Sequence, residues 1–133
     1  MFTYERPVYL KETDATGVIY FASLFQYALE AFETFLSQKG HSLSKVLEKR
    51  YLMPIVHAEA DYKAPLRTGD LMTIDLVLFQ ASKRSFTMDS VIYTLPDRKI
   101  AGRVKLIHAF MRNGEDSASE IPPEILSVLQ EKG

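Results

Sequence analysis

The segment Lys11-Glu12-Thr13-Asp14-Ala15-Thr16-Gly17-Val18-Ile19-Tyr20-Phe21 carries the clearest chemistry in this chain. It sets one carboxylate, Asp14, in a polar turn directly ahead of a long apolar-periodic stretch. A carboxylate there can attack a carbonyl or take a proton from water. The positive end of a helix favours the charged form. The first amides of that helix, near Tyr20 and Phe21, have no partners inside it and can receive negative charge as it develops on an oxygen. Gly17 permits close approach of chain and ligand. These are the parts needed to hydrolyse an acyl group. An aspartate before a helix also serves as an ordinary N-cap, and the residue alone does not separate the two roles.

Other chemistries lack their residues. There is no cysteine, which removes thiolate metal sites and cysteine nucleophiles. His41, His57 and His108 have no metal-ligand spacing, so no metal is expected. No Gly-x-Ser-x-Gly elbow and no nucleotide-binding glycine pattern occurs. The net charge of -1 from 16 basic and 17 acidic residues does not suit a nucleic-acid or membrane-surface protein. The start, Met1 to Pro7, lacks an export pattern, and no apolar run is long enough to span a bilayer. A cytoplasmic protein is expected.

The 133 residues are one domain's worth, 1–133. Thr3–Leu10 reads as an edge strand because Pro7 removes a ladder donor. A helix is expected from about Val18 to Lys39, stopped by Gly40. Its apolar face holds Leu24, Phe25, Ala28, Leu29, Ala31, Phe32, Phe35 and Leu36 at the 3.6-residue period. Ser42–Arg50 reads as a short connecting helix. Beyond Met53 the period becomes two: Val56, Ala58, Ala60 and Tyr62 alternate with His57, Glu59, Asp61 and Lys63, as in a half-buried strand. Leu71–Phe79, Phe86–Tyr93 and Ile100–Met111 complete a set joined by short turns, hence an antiparallel sheet. Residues 113–133 form a polar loop and a short final helix from Pro122 to Glu131. One helix with one apolar stripe must lie on one face of the sheet. The expected class is α+β: a curved five-stranded antiparallel sheet wrapped around one long helix. The exposed edges of such a sheet predict a homo-oligomer, a dimer or a tetramer.

The run Val8 to Ser23, with Asp14, Gly17, Val18, Ile19 and Tyr20, resembles the signature of the 4-hydroxybenzoyl-CoA thioesterase family of hot-dog proteins. A second segment, Pro54-Ile-Val-His57-Ala-Glu-Ala-Asp-Tyr62-Lys-Ala-Pro65-Leu-Arg-Thr-Gly69-Asp70, is similar to that family's second strand and the turn after it. Within the family, Tyr20-Phe21 and Pro54–Ala58 most resemble the 1,4-dihydroxy-2-naphthoyl-CoA thioesterases of quinone biosynthesis. The resemblance covers roughly residues 1–112. It implies a hot-dog thioesterase acting on an aromatic or short- to medium-chain acyl-CoA, with coenzyme A as part of the substrate and no cofactor.

It further implies Asp14 as the reacting group, the Phe21 amide as the oxyanion donor, and Gly17, Tyr20 and His57 near the acyl group. The coenzyme A phosphates then require cations. Lys63, Arg67, Lys83 and Arg84, at strand ends and turns, are the candidates. In the family the ligand lies at a dimer interface, so some of these would serve the partner's site. Acyl carrier protein thioesters are the alternative substrate, and a non-catalytic acyl-CoA-binding module is the alternative function. Glu12 reads as a solvated loop acid, and Glu30 as part of the polar helix face.

Overall fold

The computed structural model describes residues 1–130. Period-two alternation builds its sheet. In β1 (Phe2–Pro7), Phe2, Tyr4 and Arg6 turn inward while Thr3 and Glu5 face out. β3 (Ile55–Tyr62), β4 (Leu71–Ala81), β5 (Ser85–Thr94) and β6 (Lys99–Ala109) join it in an all-antiparallel sheet of order β1-β4-β5-β6-β3. A two-residue pair, β2 (Tyr51–Leu52) with β7 (Met111–Arg112), stands apart. β1 ends at Pro7 rather than running to Leu10, and a 3-10 turn over Leu10–Glu12 takes the remaining residues.

The long helix α1 (Ser23–Gln38) lies on one face of this sheet. Leu24, Tyr27, Ala28, Ala31, Phe32, Phe35 and Leu36 are buried on it. They meet the inward residues of the central strands, Met72, Ile74 and Leu76, Phe86, Met88 and Ile92, and Val104 and Leu106. α1 begins later than its apolar pattern suggested. Val18 and Ile19 are β-branched and lose rotamer freedom in a helix. They pair instead as short bridges, Val18 with Arg67 and Ile19 with Thr13. At the other end Gly40 takes a φ of 85°, and the His41 amide bonds the Leu36 carbonyl at 2.9 Å, closing the helix.

A short α2 (Leu43–Glu48), N-capped by Ser42, leads back to the sheet. α3 (Pro123–Leu129) buries Ile125, Val128 and Leu129 against the core; Glu131 of the expected final helix lies outside the described residues. Among the described residues no helix is long and apolar enough to cross a membrane.

β3 differs from expectation. It was expected to be half-buried, yet every residue of it except the half-buried Ala60 is exposed. The alternation is real, but β3 is an outer edge, bonded among the described residues to β6 alone. At its far end Gly102 of β6 lets α1 come close. A Cβ there would lie 2.8 Å from Leu24 Cδ2 and 2.9 Å from the Asp61 carbonyl oxygen. The second contact is with backbone and cannot be relieved by a rotamer change. Gly102→Ala is expected to cost about 1–3 kcal/mol, as overpacking does. Chemical denaturation should show a lower midpoint with an unchanged slope; an unaltered midpoint would refute the close packing.

Candidate active site

Asp14 sits on a tight turn, not at a helix N-terminus. The Gly17 amide bonds the Asp14 carbonyl at 3.1 Å, and the Asp14 amide bonds the Val18 carbonyl at 3.0 Å. Gly17 has φ 84°, a conformation that side chains disfavour. This is a turn of the hairpin kind, and α1 starts only at Ser23. The expectation that Asp14 lies at the mouth of the helix is therefore corrected, and the N-cap role goes with it. Its carboxylate is exposed. Oδ1 accepts from the Thr16 hydroxyl at 2.5 Å and from the Thr16 amide at 2.8 Å. These two bonds hold the carboxyl below its usual pKa, the hydroxyl contributing most.

The turn is anchored from below by charge. Arg6 points inward on β1 and is 8% exposed. A buried guanidinium requires partners, and two carboxylates supply them. Glu12 receives Arg6 Nη2 on both oxygens, at 2.6 Å on Oε1. Glu30 of α1 receives Nη1 at 2.6 and 2.5 Å. The guanidinium also lies 4.8 Å from the ring centre of Tyr27, whose hydroxyl donates to Glu12 Oε1 at 3.1 Å. The Tyr9 amide completes the set on Oε1 at 2.9 Å.

Glu12 is thus no solvated loop acid, and Glu30 is more than polar helix face. Burial pushes the Glu12 carboxyl upward, but the Tyr9 amide, Arg6 and Tyr27 outweigh it and the net shift is down. For Tyr27, burial and Glu12 raise the phenol well above its normal value. The sequence held a signal for this cluster: Arg6 shares a face with Phe2 and Tyr4, and a charge on an apolar face must be paired.

The Glu12 backbone does equal work. Its carbonyl accepts the Tyr20 amide at 2.8 Å and the Ser23 hydroxyl at 2.9 Å. The Tyr20 amide is therefore occupied, contrary to expectation. Among the described residues the Phe21 amide makes no hydrogen bond. The Phe21 carbonyl accepts the Tyr62 hydroxyl at 2.6 Å, tying this segment to the end of β3. Tyr62, read above as a strand residue and a motif aromatic, becomes a structural partner of the loop. Beside it lies a cavity of about 290 Å³ whose walls include Val18, Ile19, Leu24, Tyr62, Pro65 and Leu66. Val18 and Ile19 form the returning limb of the Asp14 turn, so carboxylate, free amide and apolar cavity share one end of the sheet. The rings of Tyr20 and Phe21, 50% and 60% exposed, lie with centroids 4.7 Å apart and tilted by 47°.

The remaining candidates separate. Lys63 and Arg67 are exposed at this same end, Lys63 bonded through its amide to Ala101 and Arg67 bridged to Val18. Lys83 and Arg84 sit in the turn after β4, an 11-residue strand that spans about 36 Å. One chain therefore does not bring the four cations together. His57 is exposed on the outer sheet face with Nε2 2.9 Å from Glu59 Oε1, away from the cavity. Period-two alternation turns His57 opposite to Ala58 and Ala60, which explains the miss.

A sheet wrapped on one helix, with its reactive loop hung between the first strand and that helix, is the hot-dog architecture of thioester hydrolases. Comparison agrees. The family model of the thioesterase-like superfamily matches residues 8–129. A 1,4-dihydroxy-2-naphthoyl-CoA hydrolase of Synechocystis sp. is 34% identical over 122 residues, covering 91% of this chain and 88% of that protein. The enzyme of the same name from Rippkaea orientalis is 36% identical over 110 residues, 81% and 80% of the two chains. The crystal structure of a 1,4-dihydroxy-2-naphthoyl-CoA thioesterase from Synechocystis superposes with TM-score 0.90 at 32% identity, over 96% of this chain and 94% of that one. A gentisyl-coenzyme A thioesterase, at 21% identity and TM-score 0.85 over 96% and 98% of the chains, shares the fold. The chain belongs to the thioesterase-like superfamily and is a thioester hydrolase.

The buried cluster generates a stability test. Glu12→Gln leaves Arg6 short of a charge and is expected to cost about 3 kcal/mol, as breaking a buried pair does. The folded Glu12 carboxyl is depressed, so its contribution is complete above the unfolded value of about 4.3 and is lost as pH falls through the lower folded value. Between pH 6 and pH 3 the wild type should lose more stability than Glu12→Gln. Parallel acid titrations of the two proteins would contradict the pairing.

Proposed function

We propose that this chain hydrolyses an aryl or short- to medium-chain acyl-CoA to the free acid and coenzyme A, and that Asp14 is its reacting group. The observation that carries the reading is the shared anchor at Glu12. It fixes the Asp14 turn on one side and, through the Tyr20 amide, leaves the adjacent Phe21 amide free on the other. A thioester carbonyl placed between them would meet a carboxylate and a hydrogen-bond donor for its oxygen. Asp14 either attacks the carbonyl, expelling the thiolate of coenzyme A and leaving a mixed anhydride that water cleaves to the free acid, or takes a proton from a water that adds to the carbonyl and expels the thiolate. Ionisation below the usual carboxylate range keeps Asp14 charged at neutral pH, as both routes require. Lys63 and Arg67, at the same end, suit the coenzyme A phosphates.

The similarity to 1,4-dihydroxy-2-naphthoyl-CoA hydrolases makes that thioester the first substrate to try. Asp14→Asn keeps size and the Thr16 contacts but removes the charge. It should lower kcat by about 10²–10⁴-fold with little change in circular dichroism. A continuous thiol assay with a panel of acyl-CoAs reads it; hydrolysis at the wild-type rate would remove Asp14 from the reaction.

We also infer a homodimer formed through β3. Its edge offers unpaired backbone groups, and Ile55, Val56 and Tyr62 are 43%, 63% and 51% exposed along it. A second β3 laid antiparallel would satisfy both edges. It would bring the Ile55 end of each strand to the Tyr62 end of its partner. Lys83 and Arg84 are then placed to act on the partner's site. Val56→Lys combined with Ala58→Pro should yield monomers by light scattering; an unaltered mass would exclude β3 as the interface.

A further inference from the structure

His108 lies on the inner face of β6 and is 3% exposed. One ring nitrogen, Nδ1, is 3.0 Å from the Met53 carbonyl oxygen. A carbonyl only accepts, so Nδ1 carries the proton. Nε2 of the neutral ring is then a bare acceptor, and it has no partner among the described residues. The ring cannot swing to find one. It is stacked on Phe86 at 4.8 Å and 6°, and lies 5.5 Å from Phe32 on α1. Burial lowers the imidazole pKa, the Met53 bond opposing it, which keeps the ring neutral. Thr73 Oγ1 and Ser90 Oγ are also buried without a partner, but His108 is the one of the three that borders the cavity beside α1, where a ligand or an ordered water can be held.

The surroundings narrow the choice. His108 forms one wall of a cavity of about 140 Å³, whose other walls are Leu29, Phe32, Leu43, Met53 and Ile55, with Glu33 at its margin. A bound water needs two to four polar partners. Here the side chains offer the minimum of two, His108 and the exposed Glu33, which would hold a water weakly. An anion would face a lone pair and a carboxylate. The volume is close to the roughly 150 Å³ of an apolar cavity that holds one benzene ring. The occupant that fits is a single aromatic ring bearing a neutral hydroxyl donor.

We propose that this cavity receives the hydroxylated ring of the acyl group and that His108 Nε2 accepts its hydroxyl. The assignment rests on the thioesterase reading and the β3 dimer given above. Ile55, at the cavity, and Tyr62, at the Phe21 loop, occupy opposite ends of β3. The two-fold pairing sets the cavity of one protomer beside the thioester-binding loop of its partner. His108 is thus a specificity-determining residue for a hydroxyaryl thioester.

Two measurements test it. The first uses the wild-type protein without turnover: phenol and toluene are titrated against protein labelled with ¹⁵N-histidine. Phenol should saturate a change in the His108 Nε2 resonance that toluene does not produce. The second compares hydroxybenzoyl-CoA isomers with benzoyl-CoA. In the wild type at least one isomer should exceed benzoyl-CoA in kcat/KM by roughly tenfold or more, because a buried acceptor left unpaired penalises the deoxy substrate. His108→Phe keeps the stacking on Phe86 and should bring that ratio toward one. An Nε2 resonance indifferent to phenol overturns the proposal, as does a hydroxyl preference that survives His108→Phe. If phenol binds at His108 but no acyl-CoA is hydrolysed, the cavity stands and the thioesterase reading falls.

Discussion

One buried guanidinium sets the geometry of this protein's reactive end. Arg6 is carried inward by the pleat of β1, and there it must be neutralised. Two carboxylates reach it from different elements, Glu12 from the turn after β1 and Glu30 from the second turn of α1. Because removing either partner leaves charge in a desolvated place, the three cannot drift apart cheaply. The ion pair therefore fixes the distance between the first strand, the helix and the loop that joins them. Tyr27, fully buried, closes the arrangement from the helix side with its ring against Arg6 and its hydroxyl on Glu12.

From that anchor the loop follows by hydrogen-bond accounting. A short segment between a strand and a helix has amides that must find acceptors or face water. The Glu12 carbonyl takes the Tyr20 amide, the Leu66 carbonyl takes that of Ile19, and the Asp14 carbonyl takes that of Gly17. Among the described residues the Phe21 amide has no such acceptor, nor do those of Val18 and Ala22, and it lies at the end of the sheet where Asp14 stands. On the proposed reaction it is the donor for the developing oxyanion, open to substrate while the Ile19 and Tyr20 amides before it are satisfied internally. A preorganised donor of this kind pays little reorganisation when charge appears.

The alternating and helical periods were legible wherever a segment faces one core. The strands β4, β5 and β6 and the body of α1 lie within a few residues of their expected places, because each buries a face whose pattern is written in the chain. Residues 18–22 were not, since two β-branched residues and an aromatic pair satisfy a helical pattern as well as a strand-like bridge. Tertiary pairing with Leu66 and Arg67 decided that contest. Glu12 was misread because a polar turn looks solvated unless the inward arginine is noticed first. The burial of β3 was overestimated for another reason: alternation reports which residues share a face, but not whether anything covers it. His57 and the four cations show the same limit. Their elements were right, while their face and their end of the sheet depend on strand order.

That distinction bears on what the fold requires in order to work. The carboxylate, the free amide, Lys63 and Arg67 lie together at one end of the sheet, and the orphan imidazole with its ring-sized cavity lies toward the other, with an uncovered strand between them. A single chain holds both halves of such a site yet keeps them too far apart to share one acyl group. In the dimer proposed above, a two-fold axis across β3 exchanges the ends, so each thioester-binding loop acquires the ring pocket of its neighbour. The exposed edge is then not a defect left in the sheet. On that proposal it is the means by which one small core borrows a second wall for its acyl group.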